Sequence, residues 1–211
     1  MVIAVCSLKG GTGKSTVALN LAGILSTRKR KVLLIDADPQ GSIAQWQEDS
    51  EQEVPTILVE PQAVIHENID KVRDQFDLVI IDAPPFRGEQ VFSILNAADC
   101  WLIPVVPGIT DVWSTRQMIQ AYQLEKERRP EFEARLLISR VDRRTRLGRE
   151  FRGYLQRMGV PIFKTEIAQR VAIGEAWLAG LTIDRYDPTS PSADDFKRLA
   201  QEVLQWVKLK G

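Results

Sequence analysis

Short apolar runs alternate with amphipathic stretches along the whole chain, and this alternation restricts the fold more than any other property of the sequence. Val2–Ser7, Val32–Ile35, Thr56–Val59, Leu78–Ile81, Trp101–Val106, Arg135–Ser139 and Ile162–Thr165 are short and rich in Val, Ile or Leu, as strands covered on both faces are. The stretches Lys14 to about Arg28, Pro61–Asp74, Glu89–Ala97, Asp111 to about Arg129, Leu147–Met158, Arg170–Ala179 and Ala193 to about Lys208 have helical spacing. Strand, helix and strand in repetition require parallel pairing through right-handed crossovers. The expected fold is therefore a doubly wound α/β domain spanning residues 1–211. Its sheet should be mostly parallel, with about seven strands and helices on both faces. The Tyr186–Ser192 stretch reads as a turn-rich loop with Ser192 capping the last helix, not as a domain boundary.

Ligands on such sheets bind beyond the carboxyl ends of the strands, so the loops there carry the chemistry. Directly after the first strand comes Lys9-Gly10-Gly11-Thr12-Gly13-Lys14-Ser15-Thr16, followed by the helical pattern from Val17. Three glycines let successive backbone N–H groups converge on one centre, where a β/γ-phosphate can sit. The helix opening at that point adds the positive end of its dipole. Lys14 supplies charge to the phosphate oxygens, and the Ser15 hydroxyl is placed to ligate Mg²⁺. The usual pattern has glycine five residues before Gly13; here that position is Leu8, and a second lysine, Lys9, precedes the glycine pair.

Two further strands end in carboxylates. Leu33-Leu34-Ile35-Asp36-Ala37-Asp38-Pro39-Gln40 places Asp36 and Asp38 two residues apart, on one side of the chain, before a proline stops the strand. Leu78-Val79-Ile80-Ile81-Asp82-Ala83-Pro84-Pro85 ends in a Walker B carboxylate, Asp82, of the kind that holds a metal through its water shell. Taken together these groups describe an ATP–Mg²⁺ site with Ser15, Asp36 and Asp82 toward the metal.

The box Lys9-Gly10-Gly11-Thr12-Gly13-Lys14-Ser15 resembles the deviant Walker A motif of the ParA/MinD superfamily of ATPases. Asp36-x-Asp38-Pro39-Gln40 and Asp82-x-Pro84-Pro85 resemble that family's second box and its Walker B. Ser139–Leu147, Ile167–Ala176 and Tyr186-Asp187-Pro188 resemble its later blocks, so the likeness runs from residue 1 to about residue 205. It is greatest to small ParA-type partition ATPases without an amino-terminal helix-turn-helix. The resemblance implies an ATP-dependent DNA partition ATPase that closes into a homodimer with ATP. In it Lys9 contacts the nucleotide of the other subunit, Lys14 binds the phosphates, Asp38 positions the attacking water and Arg140 lies near the adenine. No arginine in the phosphate loops acts as a finger in cis, so intrinsic turnover should be slow, with a ParB-like adaptor as stimulator. The resemblance also admits a MinD-like membrane-associated ATPase or another cargo-positioning relative.

Twenty-eight basic residues balance twenty-eight acidic ones, but unevenly: residues 128–170 carry twelve against five. Arg143, Arg144, Arg146, Arg149, Arg152 and Arg170 in that segment are candidates for sequence-independent contacts to DNA phosphates. A membrane role is not expected, since the apolar positions of the tail continue a helix packed on the sheet. The five tryptophans are scattered, which suits core and interface packing rather than base stacking. Cys6 and Cys100 lie in apolar runs and read as buried thiols, and the single histidine, His66, excludes His-rich metal clusters. The first residues read as a strand and not a targeting segment, so a cytoplasmic protein, nucleoid-associated when ATP-bound, is expected.

Overall fold

The computed structural model describes residues 1–52, 56–58, 69, 71–85 and 89–208. Six strands form one parallel sheet: β1 (Val2–Val5), β2 (Val32–Asp36), β3 (Thr56–Leu58), β4 (Leu78–Asp82), β5 (Cys100–Val105) and β6 (Glu133–Ile138). Their spatial order is β3-β2-β4-β1-β5-β6. The chain winds outward from β1 in one direction through β2 and β3, returns at β4, and then winds out on the other side. A topological switch therefore falls beside β1, and a ligand crevice is expected at its carboxyl end.

Alternate residues of each strand serve opposite faces. Val2 and Ala4 join a core with Ile81, Trp101 and Ile103 under α3 (Glu89–Ala97), α4 (Ile109–Arg128) and α5 (Arg146–Gln156). Ile3 and Val5 join the other core with Leu34, Ile80 and Leu102. That side is covered by α1 (Lys14–Leu25), α2 (Ser42–Asp49), α6 (Val171–Leu178), α7 (Ile183–Tyr186) and α8 (Pro191–Lys208). Helix α8 buries Phe196, Leu199, Val203 and Trp206 in this core, so the apolar positions of the tail are packed as far as Val207, and Leu209 lies outside the described residues. Among the described residues no helix is long and apolar enough to cross a membrane.

Three expectations change. Ile162–Thr165 does not become a seventh strand: it runs beside β6 with a single bridge, Leu136 to Ile162, because side chains take its backbone beyond that point, the Lys164 and Thr165 N–H groups donating to Glu202 and the Phe163 and Lys164 carbonyls accepting from Arg152. Helix α2 was not foreseen. The last helix starts earlier than expected, with Pro191 in its first turn and Ser190, not Ser192, as cap; Ser190 Oγ accepts from the Ala193 N–H at 3.1 Å. Val59, His66 and most of the helix expected over Pro61–Asp74 lie outside the described residues. Cys6 and Cys100 are both buried and neither forms a disulfide, and burial pushes the Cys6 thiol pKa up.

Candidate nucleotide site

The loop joining β1 to α1 is closed by its own side chains. Ser7 Oγ donates to the Lys9 carbonyl oxygen at 2.9 Å and shares a 2.8 Å hydrogen bond with Thr12 Oγ1. Gly11 and Gly13 hold φ of 77° and 88°, where a side chain is strained. At Gly13 a Cβ would also stand 3.0 Å from Ser139 Oγ, so the loop packs tightly against the end of β6. Gly10 and Gly11 are exposed, with Ser15 and Thr16 half-buried in the first turn of α1.

The two lysines of the loop diverge. Lys14 is only 6% exposed, and its Nζ donates back to the Lys9 carbonyl at 3.3 Å. A buried ammonium is thus matched to a neutral carbonyl, a weak partner for a cation. Lys9 is instead partly exposed and held on α4, its Nζ 3.4 Å from Oδ2 of Asp111 in the first turn of that helix.

Parallel pairing brings Asp82 level with Val5 on one side and Asp36 on the other. Asp82 is 1% exposed, and neither of its carboxylate oxygens has a hydrogen-bond partner among the described residues. Burial pushes its pKa up to about 7. The Ser15 hydroxyl, close but outside hydrogen-bonding geometry, opposes this, Asp36 reinforces it, Lys14 opposes it and Asp38 adds slightly. A buried carboxylate without a donor is costly unless a cation joins it. Two bare carboxylate oxygens beside a hydroxyl fit a hard divalent cation such as Mg²⁺, which prefers few protein oxygens and keeps its waters.

Asp36 has a different task from the one expected. It is fully buried, and its oxygens accept from the N–H groups of Asp38 (3.2 Å), Ile43 (3.0 Å) and Ala44 (3.0 Å). Burial raises its pKa, and these three amides restrain the rise. Its carboxylate therefore anchors the start of α2 and is not presented to a metal. Asp38 stands half-buried at the sheet edge, where its Oδ1 accepts from the Gln40 N–H at 3.0 Å and shapes the turn.

A cavity of about 350 Å³ opens beside the loop, near the lower end of ligand-pocket sizes. Gly11, Gly13, Thr16, Ser139 and Arg140 form one wall, with Ile167–Arg170, Ile173 and Phe196 opposite. Arg140 has φ 52°, a left-handed backbone unusual for arginine, and donates from Nη1 to the Gly11 carbonyl at 2.7 Å. That puts its guanidinium against the phosphate loop at the mouth of the cavity.

The arginine segment is largely neutralised. Arg143 and Arg152 share Glu166, Arg144 grips Asp142 with two nitrogens, and Arg146 meets Glu150. The Asp142 carboxyl is held down to about 2, first by the side chain and then by the backbone N–H of Arg144. Arg149 donates to the carbonyls of Arg143 and Arg144. Arg152 also ties down the carbonyls of Phe163 and Lys164, and Arg170 is locked to the buried Asp195, so both brace the fold. Arg143, Arg144, Arg146 and Arg149 stay exposed on one turn and helix start.

Sequence reasoning missed Asp111, the partner of Lys9. The position of Asp111 just after the strand that pairs with β1, at the end where the phosphate loop begins, was the available sign. It also missed the Ser7–Thr12 bond, for which the spacing of two hydroxyls across a glycine loop gives no distinctive pattern.

Residues 3–183 match the CobQ/CobB/MinD/ParA nucleotide binding domain. The chain belongs to this family. Among relatives of the ParA/MinD type, "Maintenance of carboxysome distribution protein A" of Halothiobacillus neapolitanus is 28% identical over 208 residues, covering 96% of this chain and 95% of the relative. The chromosome-partitioning ATPase Soj of Thermus thermophilus is 30% identical over 243 residues, covering 98% and 96%. The septum site-determining protein MinD of Pyrococcus horikoshii, solved with Mg-ADP, superposes with a TM-score of 0.79 at 23% identity, covering all of this chain and 98% of that one. The superposition bears out the α/β fold expected from the sequence.

Proposed function

We propose that residues 1–211 form one ATPase domain that acts as an ATP-switched homodimer, partitioning a plasmid or chromosome over nonspecific DNA with a ParB-like adaptor. The observation that carries this reading is the divergence of the two lysines from one loop, Lys14 buried within it and Lys9 held on Asp111. A lysine that serves its own phosphates is folded into the loop, as Lys14 is; one held at the rim of the loop on α4 suits a second copy.

In this mechanism Lys14 and the N–H groups of Gly10–Thr16 bind the β- and γ-phosphates of ATP. Ser15 and Asp82 would hold Mg²⁺, which when bound neutralises charge on the phosphate oxygens. Arg140 and the wall from Ile167 to Ile173 cover the base. Asp38 orients water toward the γ-phosphate, positioning it rather than acting as a strong base. Lys9 leaves Asp111 for the partner's nucleotide, which makes dimerisation depend on ATP. Arg143, Arg144, Arg146 and Arg149 supply the DNA-facing charge, twice per dimer, with Arg152 and Arg170 shaping the surface beneath. The protein then works in the cytoplasm and joins the nucleoid when ATP-bound.

A second reading, a dimer that positions a protein body, is favoured by the relative named for carboxysome distribution. A MinD-like membrane role gains nothing from α8, whose apolar face is already in the core. Gel shift on arbitrary duplex DNA with ATP, with ADP and without nucleotide tests the DNA step. Binding is expected with ATP alone and should fall steeply as salt rises. Equal binding in all three conditions would remove the switch.

A further inference from the structure

Between α4 and α5 runs a trough made of two adjoining cavities of about 470 and 450 Å³, which share Arg116, Tyr154 and Arg157. Its apolar lining comes from Val112, Trp113, Leu147 and Phe151 at one end and from Ile119 and Met158 at the other. Trp113 is 70% exposed and Leu147 44% exposed, on a surface where most large apolar side chains of the described residues are covered. Of the core and interface packing expected of the tryptophans, Trp113 is thus not in the core.

The charges along the trough are unlike those elsewhere on α5. Arg146 and Arg152 on that helix meet Glu150 and Glu166. Arg116 donates only to the Tyr154 hydroxyl at 2.9 Å, and the Arg157 guanidinium lies 5.6 Å from the Tyr154 ring centroid. Among the described residues neither arginine has a carboxylate within salt-bridge distance. An exposed tryptophan in an apolar trough rimmed by two uncompensated arginines has the composition of a binding hot spot.

We propose that this trough docks an acidic, amphipathic peptide segment of a partner protein. Apolar side chains of the segment fill the space beside Trp113 and Leu147, and its carboxylates pair with Arg116 and Arg157. Duplex DNA fits less well, because the trough is concave and lined by apolar side chains. The nucleotide switch is not needed for docking, so the test is made without nucleotide and its failure leaves the ATPase reading untouched.

The test pans a phage-displayed library of random short peptides against the full chain, then measures the enriched peptides on variants. Enriched peptides should combine Asp or Glu with Leu, Phe or Trp. Their affinity should fall by about tenfold or more with Trp113→Ala and with the double change Arg116→Glu, Arg157→Glu. Arg116→Lys, which keeps the charge, should retain most binding, and unchanged thermal melts should show that the variants fold. Failure to enrich any peptide, enrichment of basic ones, or equal binding to the double variant would overturn the proposal. Loss of duplex DNA binding in the double variant, with no peptide that competes, would assign the trough to DNA instead. Loss of self-association in Trp113→Ala, again without a competing peptide, would assign it to a second copy of the chain.

Discussion

The phosphate loop and the arginine segment after β6 both concentrate charge, and they treat it in opposite ways. Around the loop two buried charges lack a matching partner among the described residues: Asp82 is buried with two bare oxygens, and Lys14 is buried against a carbonyl. In the segment from Arg143 to Arg152 nearly every guanidinium has a carboxylate or carbonyl in place. Unmatched buried charge is retained where a ligand completes it, because otherwise its desolvation only weakens the fold. Matched surface charge describes a solvated face first and a binding face second. The loop is thus built for its ligand, whereas the segment can at most lend exposed charge to one.

The largest effect expected from this contrast lies at Lys14. Lys14→Ala should weaken ATP binding by roughly a hundredfold, about 3 kcal/mol, in calorimetry, for loss of a charge-assisted partner to phosphate. Arg144→Ala and Arg146→Ala should leave it unchanged. Comparable losses from both groups would erase the distinction.

Asp82 comes next, and its effect depends on pH. Its folded pKa of about 7 lies above the ordinary aspartate value of 3.8, so folding favours the protonated form. The stability it contributes is fully present below about pH 4 and is lost as pH rises through about 7. The full shift corresponds to about 4 kcal/mol, and an unpaired amide in its place would itself cost about 1–3 kcal/mol. Asp82→Asn should therefore stabilise the nucleotide-free protein by roughly 2 kcal/mol above pH 8 and destabilise it by a similar amount below about pH 4, where only the amide cost remains, in denaturant melts. The same variant should lose the enhancement of ATP affinity by Mg²⁺. A melt difference independent of pH would contradict the buried-charge assignment.

On the other side of the comparison, Arg143→Glu with Arg149→Glu should weaken ATP-dependent DNA binding and lower the salt slope by about one unit per contact removed, with little change in stability. Asp111→Ala should have the smallest effect. Removing this partly exposed ion pair is worth about 0.2–1 kcal/mol in each protomer, so the dimer, which breaks two, should be favoured with ATP by about 0.4–2 kcal/mol in light scattering.

Much of this was legible in the sequence because strand ends dictate where side chains gather. The glycine spacing before Lys14 located the phosphate loop, and the run from Leu78 to Ile81 located Asp82 at the same sheet edge. Asp36 was misread because a carboxylate after a strand looks alike whether it meets a metal or three backbone amides. Only the presence of α2, too short and too polar to show helical periodicity, decides between them. The neutralisation of the arginines was equally hidden. Arg146 and Glu150 lie four apart on a helix, but the Glu166 that holds Arg143 and Arg152 comes from the far side of a turn. Asp111 and Trp113 needed the packing of α4 against the loop and α5 before either stood out.

The claim beneath all of this is that Lys9 reads the nucleotide of a second copy. Molar mass by light scattering, for the natural chain and for Lys9→Ala, with ATP–Mg²⁺ and with ADP, tests it most directly. The natural chain should run at 23.8 kDa with ADP and at twice that mass with ATP, while Lys9→Ala stays at the single mass yet still binds nucleotide. A Lys9→Ala protein that doubles its mass with ATP as the natural chain does would contradict the account.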